Sequence, residues 1–236
     1  SDHFDIAWAL EHLGVVYTQL GNYEKAKETL EECLKVHTSS LPDQIGPSWL
    51  LAHFDSSFIS GNSKNVTTLF DQLLKTYEVH FHDNYIYVAW PMRHLGILYM
   101  KVGDYEKAKV LLKQGLAIYQ KNYGASHIAT AQVLSELAQV YLLEGNMKIA
   151  ENFATKALRV LQQSDHPDTY LCLESLAELY LKKSKIAESK KNINQAKNFE
   201  KQAVNCLKQA LETVQKKFPK DSPHIIRIRS KLTPLQ

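Results

Sequence analysis

Two stretches of this chain, 82 residues apart, carry nearly the same residues in the same order. His12-Leu13-Gly14-Val15-Val16-Tyr17 leads into Gly21-Asn22-Tyr23-Glu24-Lys25-Ala26-Lys27, and His94-Leu95-Gly96-Ile97-Leu98-Tyr99 leads into Gly103-Asp104-Tyr105-Glu106-Lys107-Ala108-Lys109. A degenerate copy lies between them, with Gly61 placed 40 residues after Gly21 and 42 before Gly103. A fourth runs Leu137-Ala138-Gln139-Val140-Tyr141 to Gly145 and Ala150, and a fifth opens at Leu176-Ala177-Glu178-Leu179-Tyr180. Self-similarity at a period of this size is the signature of a stack of supersecondary units. No one unit buries its apolar face alone, and neighbours share one core.

The units are helical. Leu10, Leu13, Gly14 and Tyr17 recur at i, i+3, i+4 and i+7, which puts them on one face of a helix, here helix A of the unit. Gly14 leaves room for a second backbone, and Gly21 is suited to the left-handed residue that ends a helix. Tyr23, Ala26, Leu30, Cys33 and Leu34 draw the matching face of a second helix, B. Composition agrees. With only 9 Gly and 7 Pro in 236 residues, the chain lacks the turn formers of a sandwich or barrel. No run approaches the roughly 18 apolar residues of a membrane span, and the first ten residues lack the pattern of a signal peptide. Three cysteines without CxxC spacing argue against a disulfide framework or structural zinc, and fit a reducing, cytoplasmic compartment.

The Leu-Gly, Tyr, Gly-x-Tyr and Ala positions resemble those of the tetratricopeptide repeat (TPR) family. The period near 42 is similar to the long-repeat variety of kinesin light chains and bacterial multi-repeat proteins. The resemblance implies an all-α, right-handed superhelical solenoid of antiparallel helix pairs. One solenoid is expected over residues 1–236, with units near 4–37, 46–80, 86–122, 127–163 and 167–217, and a partial sixth unit or capping helix over 222–236. In the second unit Phe54, Ser57 and Ser63 replace the small and aromatic contact residues. The fifth carries about 14 extra residues near 183–198, with a turn expected at Asn192–Asn194. Linkers that precede helix A read Asp2-His3-Phe4-Asp5, Ser126-His127-Ile128-Ala129, Asp165-His166-Pro167-Asp168 and Ser222-Pro223-His224. Asp2, Ser126 and Asp165 are candidate N-caps, with Pro167 in the first turn. A linker-like start also fits a piece cut from a longer array.

Nothing in the sequence points to chemistry. There is no nucleophile elbow, Walker loop, HExxH or paired CxxC. His80-x-His82-Asp83 is the nearest approach to a metal cluster, and His82 reads better as a linker residue. Cys33 and His37 share a helix face, but Cys33 occupies a core position. His3, His127, His166 and His224 recur at one linker site, which is a repeated structural role. The expectation is a non-enzyme with no cofactor and no metal.

In a repeat of this kind, function resides on the concave face lined by the A helices. The groove positions that the resemblance implies are Trp8, Glu11, His12, Val15 and Gln19, then Leu51, Ala52 and Asp55, then Trp90, Arg93, His94, Ile97 and Lys101. They continue with Gln132, Ser135, Glu136 and Gln139, and with Glu174, Ser175 and Glu178. Trp and Arg dominate binding hot spots, which favours Trp8, Trp90 and Arg93 as anchors. The Lys/Asn pairs with which chaperone-binding relatives grip a terminal carboxylate are replaced by Glu11/Val15, Leu51/Asp55, Arg93/Ile97 and Ser135/Gln139. That argues against chaperone-tail capture. The Asn by which kinesin light chains hold a peptide backbone is likewise replaced, by His12, Ala52, His94, Glu136 and Ser175. From Lys182 to Lys231 the local charge is +10, against −7 elsewhere. A solvated helical face explains this better than nucleic-acid binding, since only Phe199 and Phe218 could stack on bases. The expected function is a protein- or peptide-binding scaffold. The alternative is a regulatory or substrate-recruitment domain of a larger enzyme, sensor or bacterial effector.

Overall fold

A computed structural model describes residues 2–38 and 86–235 of the chain. Among these residues there is no strand. Nine α-helices and a short 3-10 turn at Thr233–Leu235 carry nearly everything. They group into two compact units, Ser1–Asn122 and Tyr123–Gln236. The helix pair expected at 46–80, with Phe54, Leu51, Ala52, Asp55 and the His80–Asp83 cluster, lies outside the described residues.

The first unit holds α1 (Asp2–Gln19), α2 (Tyr23–Thr38), α3 (Ile86–Val102) and α4 (Tyr105–Tyr123), whose last residue belongs to the second unit. Pairing follows from the small residue of helix A. A Cβ placed on Gly14 would lie 2.5 Å from Leu30 Cγ, and one on Gly96 would lie 2.7 Å from Leu112 Cγ. A leucine of helix B therefore fills the space that each glycine leaves. The Ala108 carbonyl oxygen comes second, 3.5 Å from the Cβ position of Gly96. Both α1 and α2 pack directly against α3, so helices 82 residues apart in sequence are neighbours in this unit.

The second unit holds α5 (Ile128–Leu143), α6 (Met147–Gln163), α7 (Thr169–Ser189), α8 (Ile193–Lys217) and α9 (Pro223–Leu232). Here the two positions are equal in size, and Ala138 of α5 clusters with Ala154 of α6 where the first unit pairs Gly with Leu. Leu176 of α7 joins that cluster with Phe153 and Leu158, so helix B of one pair covers helix A of the next. At the far end Ile225, Ile228 and Leu232 of α9 pack on Leu207, Ala210 and Val214 of α8.

One turn design closes every described pair. The residues after helix A are Gly21-Asn22, Gly103-Asp104, Gly145-Asn146 and Lys191-Asn192, the first of each at positive φ. The Asn22 amide donates to the Tyr17 carbonyl (2.9 Å) and the Gly21 amide to that of Thr18 (3.3 Å), which is a Schellman ending. The second residue then caps helix B: Oδ1 of Asn22, Asp104, Asn146 and Asn192 accepts from the amide three residues on, at 3.2–3.4 Å. The turn in the fifth pair thus falls at Lys190–Asn192, two residues before the expected place.

The linkers also differ from expectation. His127, not Ser126, is the N-cap of α5, and its Nδ1 accepts from the Ala129 amide (3.1 Å) while its ring stacks on Tyr123. His166 Nδ1 accepts from the Asp168 amide in the same way (3.2 Å). Asp165 is exposed at φ 47 and pairs with Lys217 instead of capping α7. Pro167 precedes α7, in a tight turn where the Tyr170 amide reaches its carbonyl. At His127 the imidazole caps as a serine would, by offering a ring nitrogen to a free amide, whereas His166 braces the linker itself, since the N-cap of α7 is Asp168. His224 does otherwise, lying between Tyr170 and Phe218.

Candidate protein-interaction surface

The first unit presents the clearest candidate. Trp8 and Trp90 occupy the same repeat position on α1 and α3, two helices in contact, and both are exposed, at 63% and 44%. An indole of that size in water is a standing cost of apolar surface, and tryptophan left so is a common anchor of binding surfaces. The Trp8 ring lies against the His12 ring at 4.1 Å between centroids, and His12 Nδ1 meets the Trp8 carbonyl oxygen at 2.8 Å. The indole is therefore held by a neighbour on its own helix. Val15 and Ile97, at matching positions, are partly buried, as is Arg93, and Lys101 is exposed.

Glu11 and His94 join the two helices. His94 Nε2 lies 3.0 Å from Glu11 Oε1, and Glu11 is buried. Both belong to the expected groove set; their polar atoms face each other across the α1–α3 seam. Cys33 sits behind them, and its thiol donates to the Ala7 carbonyl (3.2 Å). Burial, with the nearby Glu11 charge, pushes that thiol up to about 12, and burial raises Cys172 to about 11. A thiol so raised is a poor nucleophile and metal ligand at neutral pH. The core reading of Cys33 fits this environment.

In the second unit Glu136, Ser135 and Glu174 are buried, and Gln132, Gln139 and Ser175 are covered in part or whole. Gln132 donates to Asp168 (2.7 Å), and the Cys172 thiol donates to Ser135 Oγ (3.2 Å). Glu174 is held by α9: Arg227 Nη2 donates to its Oε2 (2.6 Å), Arg227 Nε to its Oε1 (3.2 Å) and Lys231 to Oε1 (3.0 Å). The side chain read as a groove contact is thus the anchor of the last helix. Other lysines of the basic stretch are similarly engaged, Lys183 with Glu151 (2.7 Å) and Lys182 with the Leu142 carbonyl (3.2 Å). Lys190, Lys191 and Lys197 are exposed. Among the described residues no group of three His, Cys, Asp or Glu could hold a metal, and no helix is long and apolar enough to cross a membrane.

Antiparallel helix pairs that repeat a small-residue crossing, a Schellman turn and an Asx cap define a helical-repeat protein of the solenoid class. Residues 87–163 match one model of the tetratricopeptide repeat and residues 9–36 match another. Residues 9–36 and 87–163 are thus similar to tetratricopeptide repeats. Its fold is similar to that of two solved structures of nearly identical TPR-like repeats from a candidate kinesin light chain of Podosopora anserina, one of them a single-substitution variant. The variant aligns with a TM-score of 0.56 and the other with 0.55. Each is 18% identical, over 96% of this chain and 83% of that one.

Proposed function

We propose that this protein is a non-catalytic scaffold that holds a segment of another protein on the A-helix face of its first unit, with Trp8 and Trp90 as anchors and Arg93 beside them. The observation that carries this reading is the pair of exposed tryptophans at one repeat position on touching helices. Glu11 and His94 fix the spacing of those helices, so the indoles are presented by a rigid seam. Val15 and Ile97 extend the apolar surface between them. The Lys/Asn pair of a carboxylate clamp is replaced at Glu11/Val15 and Arg93/Ile97, which argues against capture of a terminal carboxylate. The engagement of Lys182, Lys183, Arg227 and Lys231 with acceptors of the same unit supports a solvated, self-neutralising C-terminal face over a nucleic-acid surface.

The test is a peptide library selected on the chain, with binders measured by calorimetry. Trp90→Ala should weaken a groove binder about 30-fold or more, since a hot-spot tryptophan is worth about 2–4 kcal/mol and each 1.4 kcal/mol is tenfold. Charge reversal at Lys190, Lys191 and Lys197 should alter chiefly the salt dependence. Binders abolished by the lysine changes and indifferent to Trp90→Ala would refute the reading.

A further inference from the structure

The tip of the α7–α8 pair differs from the other described turns in length, backbone and charge. Tyr180 stands 11 residues before the turn residue Lys191, and Tyr141 only 4 before Gly145, so this tip reaches about 10 Å further along its pair. Its left-handed residue is Lys191, at φ 59, where Gly21, Gly103 and Gly145 stand in the other pairs. A lysine is kept there against backbone strain, and strain of this kind clusters at functional sites. Residues 184–199 hold four lysines, Lys185, Lys190, Lys191 and Lys197, against one acid, Glu188, and all five are exposed. None of the four has an ion-pair partner among the described residues, unlike Lys182, Lys183 and Lys231. The turn of α5–α6 is balanced by comparison, with Glu144 and Lys148. Two aliphatic side chains stand among these charges, Ile186 at 41% and Ile193 at 53% exposure. They are not needed to close the hairpin, because Ala187 and Ala196 are the buried residues of the tip. Lys190 follows Ile186 and Lys197 follows Ile193 by one helical turn, which puts an ammonium group on the same face as each isoleucine. The turn backbone is satisfied: the Lys191 amide donates to the Glu188 carbonyl (2.8 Å), the Asn192 amide to that of Ala187 (2.9 Å), and Asn192 Oδ1 accepts from the Gln195 amide (3.2 Å).

We infer that this tip docks on the surface of a bilayer that contains anionic lipid. Lysines are drawn to such a surface, and exposed aliphatic side chains gain by leaving water for the boundary between headgroups and acyl chains. A turn with its amides paired meets that boundary without stranding polar backbone. The tip is a convex end, which suits a broad, soft surface and offers no cleft for a peptide. Nucleic acid would also attract the lysines, but residues 184–198 contain no aromatic ring to stack on bases, and phosphates offer the isoleucines nothing. An acidic protein would need a hollow matched to both isoleucines, whereas a bilayer needs none. Four lysines and two isoleucines make a weak, reversible attachment and not a permanent anchor. The site belongs to the second unit and does not rest on the peptide-binding reading of the first.

The experiment is flotation of the full chain with vesicles of phosphatidylcholine, alone or with about 30% phosphatidylserine, at about 0.1 M salt. Polyglutamate and a DNA duplex are measured beside them. Binding should be about tenfold or more stronger with phosphatidylserine and should fall as salt rises. Lys190→Glu with Lys191→Glu should weaken it about 30-fold or more, since each lysine near the surface contributes about fivefold and reversal adds repulsion. Lys191→Gly should weaken it about fivefold while the denaturant midpoint holds or rises, which separates the charge from the fold. Ile186→Ser with Ile193→Ser should weaken it about tenfold at an unchanged salt slope, with the melting temperature within about 2 °C. Trp90→Ala should leave it unchanged. Three results would overturn the inference. One is flotation that does not depend on phosphatidylserine. Another is equal affinity for polyglutamate or the duplex with the isoleucine changes harmless, which would make an acidic protein or a nucleic acid the partner. The last is vesicle binding lost in Trp90→Ala and kept in the lysine variants, which would move the lipid contact to the first unit.

Discussion

At the scale of single residues, two positions show how little space the fold leaves. Gly96 meets Leu112 so closely that even one added carbon crowds it, and Gly14 meets Leu30 in the same way. Gly96→Leu should therefore cost about 1–3 kcal/mol by overpacking. Because a repeat stack is held by local and nearest-neighbour terms, faster hydrogen exchange should centre on α3 and α4 and spare α8 and α9. A uniform rise would contradict this. Lys191 is the converse case. It stands at φ 59, where Gly21, Gly103 and Gly145 stand in the other pairs. A Cβ in the left-handed region costs about 1–2 kcal/mol, partly offset by the greater freedom of glycine in the unfolded chain. Lys191→Gly should raise stability by about 1 kcal/mol or less, read from denaturant midpoints at unchanged m value.

At the scale of elements, the fifth pair shows how a helix lengthens without losing its face. Tyr141 to Gly145 spans 4 residues, and Tyr180 to Lys191, the corresponding stretch, spans 11; Asn146 to Ala150 spans 4, and Asn192 to Ala203 spans 11. The insertion is thus seven residues in α7 and seven in α8, two turns each, and a shift of seven rotates a helix by only about 20°. Ala187 and Ala196, both buried, carry the contact into the added turns. Removing residues 181–187 together with 196–202 should leave a cooperative fold with a modestly lower melting temperature by circular dichroism. Removing 181–187 alone strands the added turns of α8 and should broaden the transition. Equal behaviour of the two deletions would show that the added turns do not pair.

At the scale of the molecule, α9 is tied to its unit by apolar packing on α8 and by the buried Glu174. Both cations on that carboxylate are close to half-exposed, so the ion pairs are worth less than a buried triad. Glu174→Gln should cost about 1 kcal/mol and speed hydrogen exchange in α9 more than in α7, and equal acceleration in both helices would contradict it. The repeated Leu-Gly/Tyr/Gly/Ala pattern was enough to read the helical class, the pair in each described unit and the glycine turns, because periodicity and φ preference are local properties of the chain. The Asx cap after each glycine was equally local, and the recurrence of Asn22, Asp104 and Asn146 could have revealed it. Other features were beyond a linear reading. Glu11 and Glu174 look like exposed groove residues until the helices that carry His94, Arg227 and Lys231 are set beside them. Leu13 and Leu95 are identical in sequence context, yet one is bare and the other buried. Local order along the chain determined which residues form each helix face. Only the tertiary structure decided which faces are covered, since burial depends on helices that arrive from distant sequence.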